Sequence, residues 1–156
     1  MNEDIFTKIK TKESLELLME ELQLILKSFY EAKAEDLNSV LTYKVRSFVS
    51  DFFKNKFSDT LNPEAYIKEI IEKGQKLQTV KLFLAFEPSE GAIDHFYSFI
   101  TSACGSHVLL DISCDPSLIG GAVIIFKGQY RDFSFRKIFQ KEFSEEQQNL
   151  LKLLEK

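Results

Sequence analysis

Gly74-Gln75-Lys76-Leu77-Gln78-Thr79-Val80-Lys81-Leu82-Phe83-Leu84-Ala85-Phe86 changes the period of the chain. Upstream, apolar residues recur at helical spacing and Gly74 is placed to stop a helix. From Val80 onward Val80, Leu82, Leu84 and Phe86 alternate with Lys81, Phe83 and Ala85, the period of a strand buried on at least one face. The reading outward from this point is helices first, then strand, helix, strand, hairpin and helix. That order predicts an α+β chain whose C-terminal part is of α/β type. An N-terminal helical segment is expected over residues 1–75 and a small C-terminal domain over 76–156, the boundary falling near 75–79.

Three helices are expected before the boundary. Over residues 12–35, Leu15, Leu22 and Phe29 recur every seven, with Leu18, Ile25 and Ala32 between them and Met19 and Leu26 widening the seam. A second helix is read from about Asp36 to Ser58, with Leu37, Leu41, Val45, Phe48, Val49 and Phe52 on one face and Lys44, Arg46, Lys54 and Lys56 largely off it. The third start is the clearest local signal: Asn62 caps, Pro63 suits the first helical position, and Glu64 favours the positive helix end. Tyr66, Ile67, Ile70 and Ile71 form its buried stripe.

After the first strand, Ser89 caps a helix with Ile93, Phe96, Tyr97 and Ile100 inward, closed by Gly105. A second strand places Val108, Leu110, Ile112 and Cys114 on one face. Asp115-Pro116-Ser117 reads as a turn, because proline stops the ladder and Asp and Ser satisfy local backbone groups. Residues 122–126 form a third strand, and Lys127-Gly128 turns it toward a fourth at about 130–135. A last helix runs to the end, where Ser144 and Gln147 have capping-box spacing and Leu150, Leu151 and Leu154 follow.

Composition excludes several classes. At 44% hydrophobic and 28% charged, the 156-residue chain belongs with ordinary globular domains. No apolar run approaches the roughly 18 residues that cross a bilayer, and the charged opening MNEDIFTKIK does not read as a secretory signal. The net charge of −4 is shared equally by the two halves, so no basic face argues for nucleic acid. Arg131, Arg136, Lys137 and Lys141 gather locally, as a solvated strand end and helix do. The two cysteines, Cys104 and Cys114, read as reduced thiols on apolar faces. Fifteen Phe and no Trp supply more aromatic area than one small core needs. Phe48, Phe52, Phe53 and Phe57 on the second helix therefore raise a rival reading, a helical adaptor that dimerises through residues 12–58.

Asp115-Pro116-Ser117-Leu118-Ile119-Gly120-Gly121-Ala122-Val123, with Asp132-Phe133-Ser134-Phe135-Arg136 at the distance the family keeps between them, resembles the signature of the ATP synthase delta subunit family, called the oligomycin-sensitivity-conferral protein in mitochondria. Phe139 takes the place of a usual Leu, and the likeness covers roughly residues 76–140. Asp115, Pro116, Ser117, Gly120, Gly121, Asp132, Ser134 and Arg136 are the motif positions, and their expected role is architectural. Gly120-Gly121 lets the backbone reverse or approach a neighbour, and Asp132 and Ser134 brace the last helix. The sequence departs from the family at Phe133, where Gly is usual, and at Lys127-Gly128, where Gly-Asp is typical. It also has three helices before the sheet in place of about six. The more distant E subunit of V- and A-type ATPases shares a Pro-Ser…Gly-Gly run but carries a longer helix before it.

The resemblance implies a non-catalytic peripheral-stalk (stator) subunit of a rotary F-type ATP synthase. Its C-terminal domain would grip a b-type stalk helix and its helices would meet the catalytic head (alpha/beta) subunits. It would be cytoplasmic and peripheral to the membrane, without insertion into it. No catalytic residue, cofactor or small-molecule substrate is expected, and no nucleotide loop of the Gly-x-x-x-x-Gly-Lys kind is present. A zinc reading of His95, Cys104, His107 and Cys114 has one ligand pair where structural sites use two. Ser89 and Ser98 near Asp94-His95 lack the strand–turn frame of a nucleophile. Neither is adopted.

Overall fold

The computed structural model describes residues 4–30, 36–105 and 108–154. Two compact units divide the chain: Met1–Gln78 with His107–Leu109, and Thr79–Ser106 with Leu110–Lys156. The secondary structure is that of an α+β protein, helix-rich at first and then a four-stranded mixed sheet with helices.

The first unit opens with a 3-10 turn, Ile5–Lys8, capped by the Asp4 carboxylate, and continues as α1, Lys12–Tyr30. Thr11 Oγ1 accepts the Ser14 N–H at 3.1 Å and so supplies the cap of α1. Leu18, Leu22 and Ile25 of the expected seam are fully buried, while Phe29 stays at the edge against Phe57. Ala32, expected on the same stripe, lies outside the described residues.

The helix expected over 36–58 is two helices, α2 (Leu37–Tyr43) and α3 (Ser47–Asp59). The break has a tertiary cause. Arg46 takes an extended conformation (ψ 148°), and its backbone N–H donates to Glu21 Oε1 at 2.6 Å instead of to its own helix. Its guanidinium spans both Glu21 oxygens at 2.8–3.1 Å. Arg46 is therefore a fastening to α1, not a residue of a solvated helix face. Phe53 is completely buried, with Phe52 and Phe57 in ring contact at 5.2 and 5.1 Å. Burying one such side chain stabilises by about 2–3 kcal/mol. With Phe48 also packed on this core, the phenylalanines that raised the adaptor reading serve packing within the unit.

α4 (Pro63–Gln75) starts as expected: Asn62 Oδ1 accepts the Ala65 N–H at 3.0 Å and Pro63 stands in the first turn. Gly74 does not end it. The helix passes through Gly74, which is buried, and closes at Lys76. A Cβ at Gly74 would run into Met19 and stand 3.3 Å from Leu15, so the glycine permits close approach of α1 and α4.

In the second unit the sheet order is β2-β1-β3-β4. β1 (Gln78–Leu84) buries Val80, Leu82 and Leu84 in alternation, while Phe86 lies beyond the strand and is exposed. α5 (Glu90–Cys104) has Ser89 as its cap, accepting the Ala92 N–H, and Gly105 at φ 94° closes it. Ile100 is buried and Ile93, Phe96 and Tyr97 are half-buried. β2 (Val108–Cys114) buries Val108, Leu109 and Leu110 in succession, and its end is exposed. Cys114 therefore does not face inward, and Cys104 is exposed as well. β3 (Ala122–Phe126) pairs antiparallel with β1, Leu84 opposite Ala122, and with β4 (Gln129–Asp132), Phe126 opposite Gln129. Lys127 (φ 48°) and Gly128 (φ 76°) are the two left-handed residues of that hairpin turn. α6 (Phe135–Leu154) runs through Ser144, whose hydroxyl donates to the Gln140 carbonyl at 2.7 Å. Ser144 is thus interior to a helix and caps nothing. The side chains of Gln147, Leu150, Leu151 and Leu154 lie outside the described set.

Candidate architectural site

Leu84 ends β1, and its carbonyl accepts the Asp115 N–H at 2.7 Å where β2 gives way to the turn. Pro116–Leu118 is one 3-10 turn, with Pro116 in its first position and the Asp115 carboxylate accepting the Ser117 N–H at 3.0 Å. Hydrogen bonds from Ser117 hold the Asp115 carboxyl below the ordinary carboxylate range, and the positive charge of Arg136 acts in the same direction. Arg136 belongs to the first turn of α6. The two ends of the motif, separated in sequence by some twenty residues, therefore share an electrostatic field.

The glycines make the closest junction. Gly121 has φ 78°, and a Cβ there would collide with the Phe133 carbonyl oxygen and stand 3.0 Å from the Ser134 Cα. Gly120 lies under the Phe135 ring, 2.6 Å from where its own Cβ would be, and its carbonyl accepts the Phe135 N–H at 2.9 Å. The Ala122 carbonyl takes the Phe133 N–H at 2.8 Å. Asp132 Oδ1 accepts the Ser134 N–H at 2.9 Å, and Ser134, only 2% exposed, accepts the Lys137 N–H at 3.3 Å as the cap of α6. The same Ser134 bonds hold the Asp132 carboxyl below its ordinary range.

Gly120, Gly121, Asp132 and Ser134 thus fasten the start of β3 to the β4–α6 junction, while Asp115, Pro116 and Ser117 build the 3-10 turn before them and Arg136 acts on Asp115 through its charge. Sequence reasoning missed Ile119, a β-branched residue at φ 66° that is 67% exposed. Nothing in Leu118-Ile119-Gly120 signals a left-handed residue before the glycines. Phe133 keeps an ordinary φ, so replacing Gly there carries no backbone strain.

Elsewhere the chemistry is sparse. Among the described residues no three His, Cys, Asp or Glu side chains stand together as metal ligands. His95 is exposed on α5, and His107 lies outside the described residues. In the first unit a groove of about 350 Å³ is lined by Phe6, Phe52, Lys56, Tyr66, Ile70 and Lys73, among others. Burial there raises the Tyr66 phenol above its usual range. Among the described residues no helix is long and apolar enough to cross a membrane.

The site is a structural joint built from backbone reversals and caps. Residues 31–141 match the family model for the ATP synthase delta (OSCP) subunit, more than two thirds of the chain. The chain belongs to that family, whose members are peripheral-stalk subunits of ATP synthase. No curated protein was found to match it.

Proposed function

We propose that this protein is the stator subunit that links the catalytic head of an F-type ATP synthase to a membrane-anchored b-type stalk. The family match over residues 31–141 carries the reading. A rotary motor needs a static connection, or the head turns with the rotor and no torque is delivered. A stator subunit serves by rigidity and by the surfaces it offers, and it needs no reactive group. The fastening of Asp115–Gly121 to Asp132–Arg136 supports this, since it stiffens the second unit without presenting a nucleophile. In this reading the second unit takes the stalk helix, the helices of the first unit meet the alpha/beta head, and the protein is cytoplasmic, peripheral to the membrane.

The test is recovery of the tagged chain from its own membranes under mild detergent. Stalk and head subunits should accompany it in fixed ratio. A chain that returns alone, as a homodimer with no ATP synthase subunit, sinks the proposal and restores the adaptor.

A further inference from the structure

Met19 stands where α1 meets α4. Its methyl group fills the space that a Cβ at Gly74 would take, and Leu15 Cδ1 and Phe6 Cε1 lie 3.3 and 3.4 Å from the same point. Gly74 is buried within α4, so the tip of the thioether side chain is received by bare backbone. The fit uses what is particular to methionine, an unbranched and flexible chain that fills an irregular gap. Leu18 and Leu22 of the same helix are wholly buried, whereas Met19 is half-buried and packs on the core from its rim.

A methionine in that position is both reachable and consequential. The three atoms nearest the Gly74 point are carbons, one each from Met19, Leu15 and Phe6. Oxidation of the sulfur adds an oxygen that needs a hydrogen bond, in surroundings that offer it apolar carbon. Two responses are open. The sulfoxide stays in place and buries an unsatisfied acceptor, or it swings into water and leaves the space over Gly74 empty. Either one weakens the hold of α4 on α1. Two residues further along α1 is Glu21, the carboxylate that holds Arg46 between α2 and α3, so a loosened α1 is felt through the first unit. Cys104 and Cys114 are exposed, and their oxidation alters no packed surface.

We propose that Met19 is a site of reversible oxidation, at which a peroxide loosens α1 from α4 and reduction restores the contact. The sulfur lone pair attacks one peroxide oxygen. An S–O bond forms as the O–O bond breaks, the sulfur gives up two electrons, and with hydrogen peroxide the other oxygen leaves as water. A thiol-dependent sulfoxide reductase runs the return step, its thiols supplying two electrons and ending as a disulfide while the oxygen departs as water. Residue 19 precedes the stretch that matches the family, and the site works whether or not the chain serves as a stator.

The full chain carrying Cys104→Ser/Cys114→Ser keeps Met1 and Met19 as its only sulfurs. It is treated with hydrogen peroxide until free methionine in the same tube is converted. Peptide mass spectrometry locates the added oxygen, and thermal melts followed by far-UV circular dichroism read the consequence. Oxygen should be found on Met19, the melting temperature should fall by about 5–10 °C, and methionine sulfoxide reductase with thiol should restore it. Met19→Leu in the same background keeps the volume and drops the sulfur, so it should melt near its parent and be unmoved by peroxide. Met19→Gln, a polar side chain of similar length, should melt low without any treatment. An unmodified Met19 after peroxide overturns the proposal, because the sulfur is then sealed. Oxidised Met19 with an unchanged melt also overturns it, because the contact then tolerates the oxygen. A fall of equal size in Met19→Leu assigns the effect to another group and overturns it as well. Reversal by the reductase is read on the native residue, so the test stands even where the Leu variant folds poorly.

Discussion

Arg46 donates its backbone N–H to Glu21 Oε1 at 2.6 Å and closes its guanidinium on both oxygens of the same carboxylate. Glu21 is 8% exposed within α1, and the guanidinium also reaches the Ser14 carbonyl and hydroxyl at 3.2 Å. One carboxylate thus satisfies a helix-terminal N–H and a charged side chain from 25 residues away, and it separates α2 from α3.

Glu21→Gln keeps one acceptor but removes the charge, and Glu21→Ala leaves the Arg46 fork and N–H without their main partner. The loss expected is about 1–2 kcal/mol for Gln and about 2–4 kcal/mol for Ala. Urea denaturation followed by far-UV circular dichroism measures both. Equal stability of Glu21→Ala and wild type would show that the pair contributes nothing net.

Acid should loosen the motif. Hydrogen bonds from Ser117 and Ser134 hold the Asp115 and Asp132 carboxyls below their ordinary 3.8. A depressed carboxylate contributes stability that is fully present above its unfolded-state value and is lost as pH falls through the folded one. The loss should therefore begin near pH ~4 and continue below ~3. Both side chains are half-buried at most and reach solvent, so the effect is modest. Asp115→Asn/Asp132→Asn should flatten the acid limb of melting temperature against pH. An unchanged limb would assign the acid sensitivity to other carboxylates.

Lys127 and Gly128 are both left-handed in the β3–β4 turn, a geometry in which Asn before Gly is favoured. The Lys127 ammonium lies 5.1 Å from the Phe126 ring centre, an exposed contact of small value. Lys127→Asn should therefore stabilise by about 0.5 kcal/mol, and Lys127→Val should cost about 1 kcal/mol or more. Chemical denaturation of the two variants side by side gives the sign directly.

The legible features were those set by local chemistry. Asn62-Pro63-Glu64 and Ser89 cap helices wherever they occur, the alternation at Val80–Leu84 fixes a strand face, and Lys127-Gly128 can do little except turn. The illegible ones were tertiary. No glycine or proline marks the break at Lys44–Arg46, because the interruption comes from a glutamate on another helix. Gly74 looks like a stop in one dimension and is a contact in three. Ser144 carries a capping pattern inside a helix because the pattern does not know that Ser134 has already capped it. At the motif, the glycines were readable as a backbone demand, but their partner, the Phe133–Phe135 backbone, was not.

The sharpest test of the motif is Gly121→Val. A side chain at φ 78° is strained in itself, and its Cβ here meets a backbone carbonyl, which cannot rotate aside as the tip of a side chain can. The cost should be about 3 kcal/mol or more, above that of a strained turn in open space. Gly120→Ala is the informative companion, since its Cβ meets only the Phe135 ring. That ring is half exposed and can swing outward, so about 1–2 kcal/mol is expected. Gly91→Ala, with nothing within 4 Å of the added Cβ and a helical backbone, should be neutral or slightly stabilising. The order Gly121→Val far below Gly120→Ala, and Gly120→Ala below Gly91→Ala, is the expected result in thermal melts. In the stator reading the same order should appear in the yield of chain recovered with stalk subunits, because a less stable second unit leaves less folded chain to assemble. If Gly121→Val melts with wild type, the backbone there relaxes freely, and the joint between Asp115–Gly121 and Asp132–Arg136 carries no structural load.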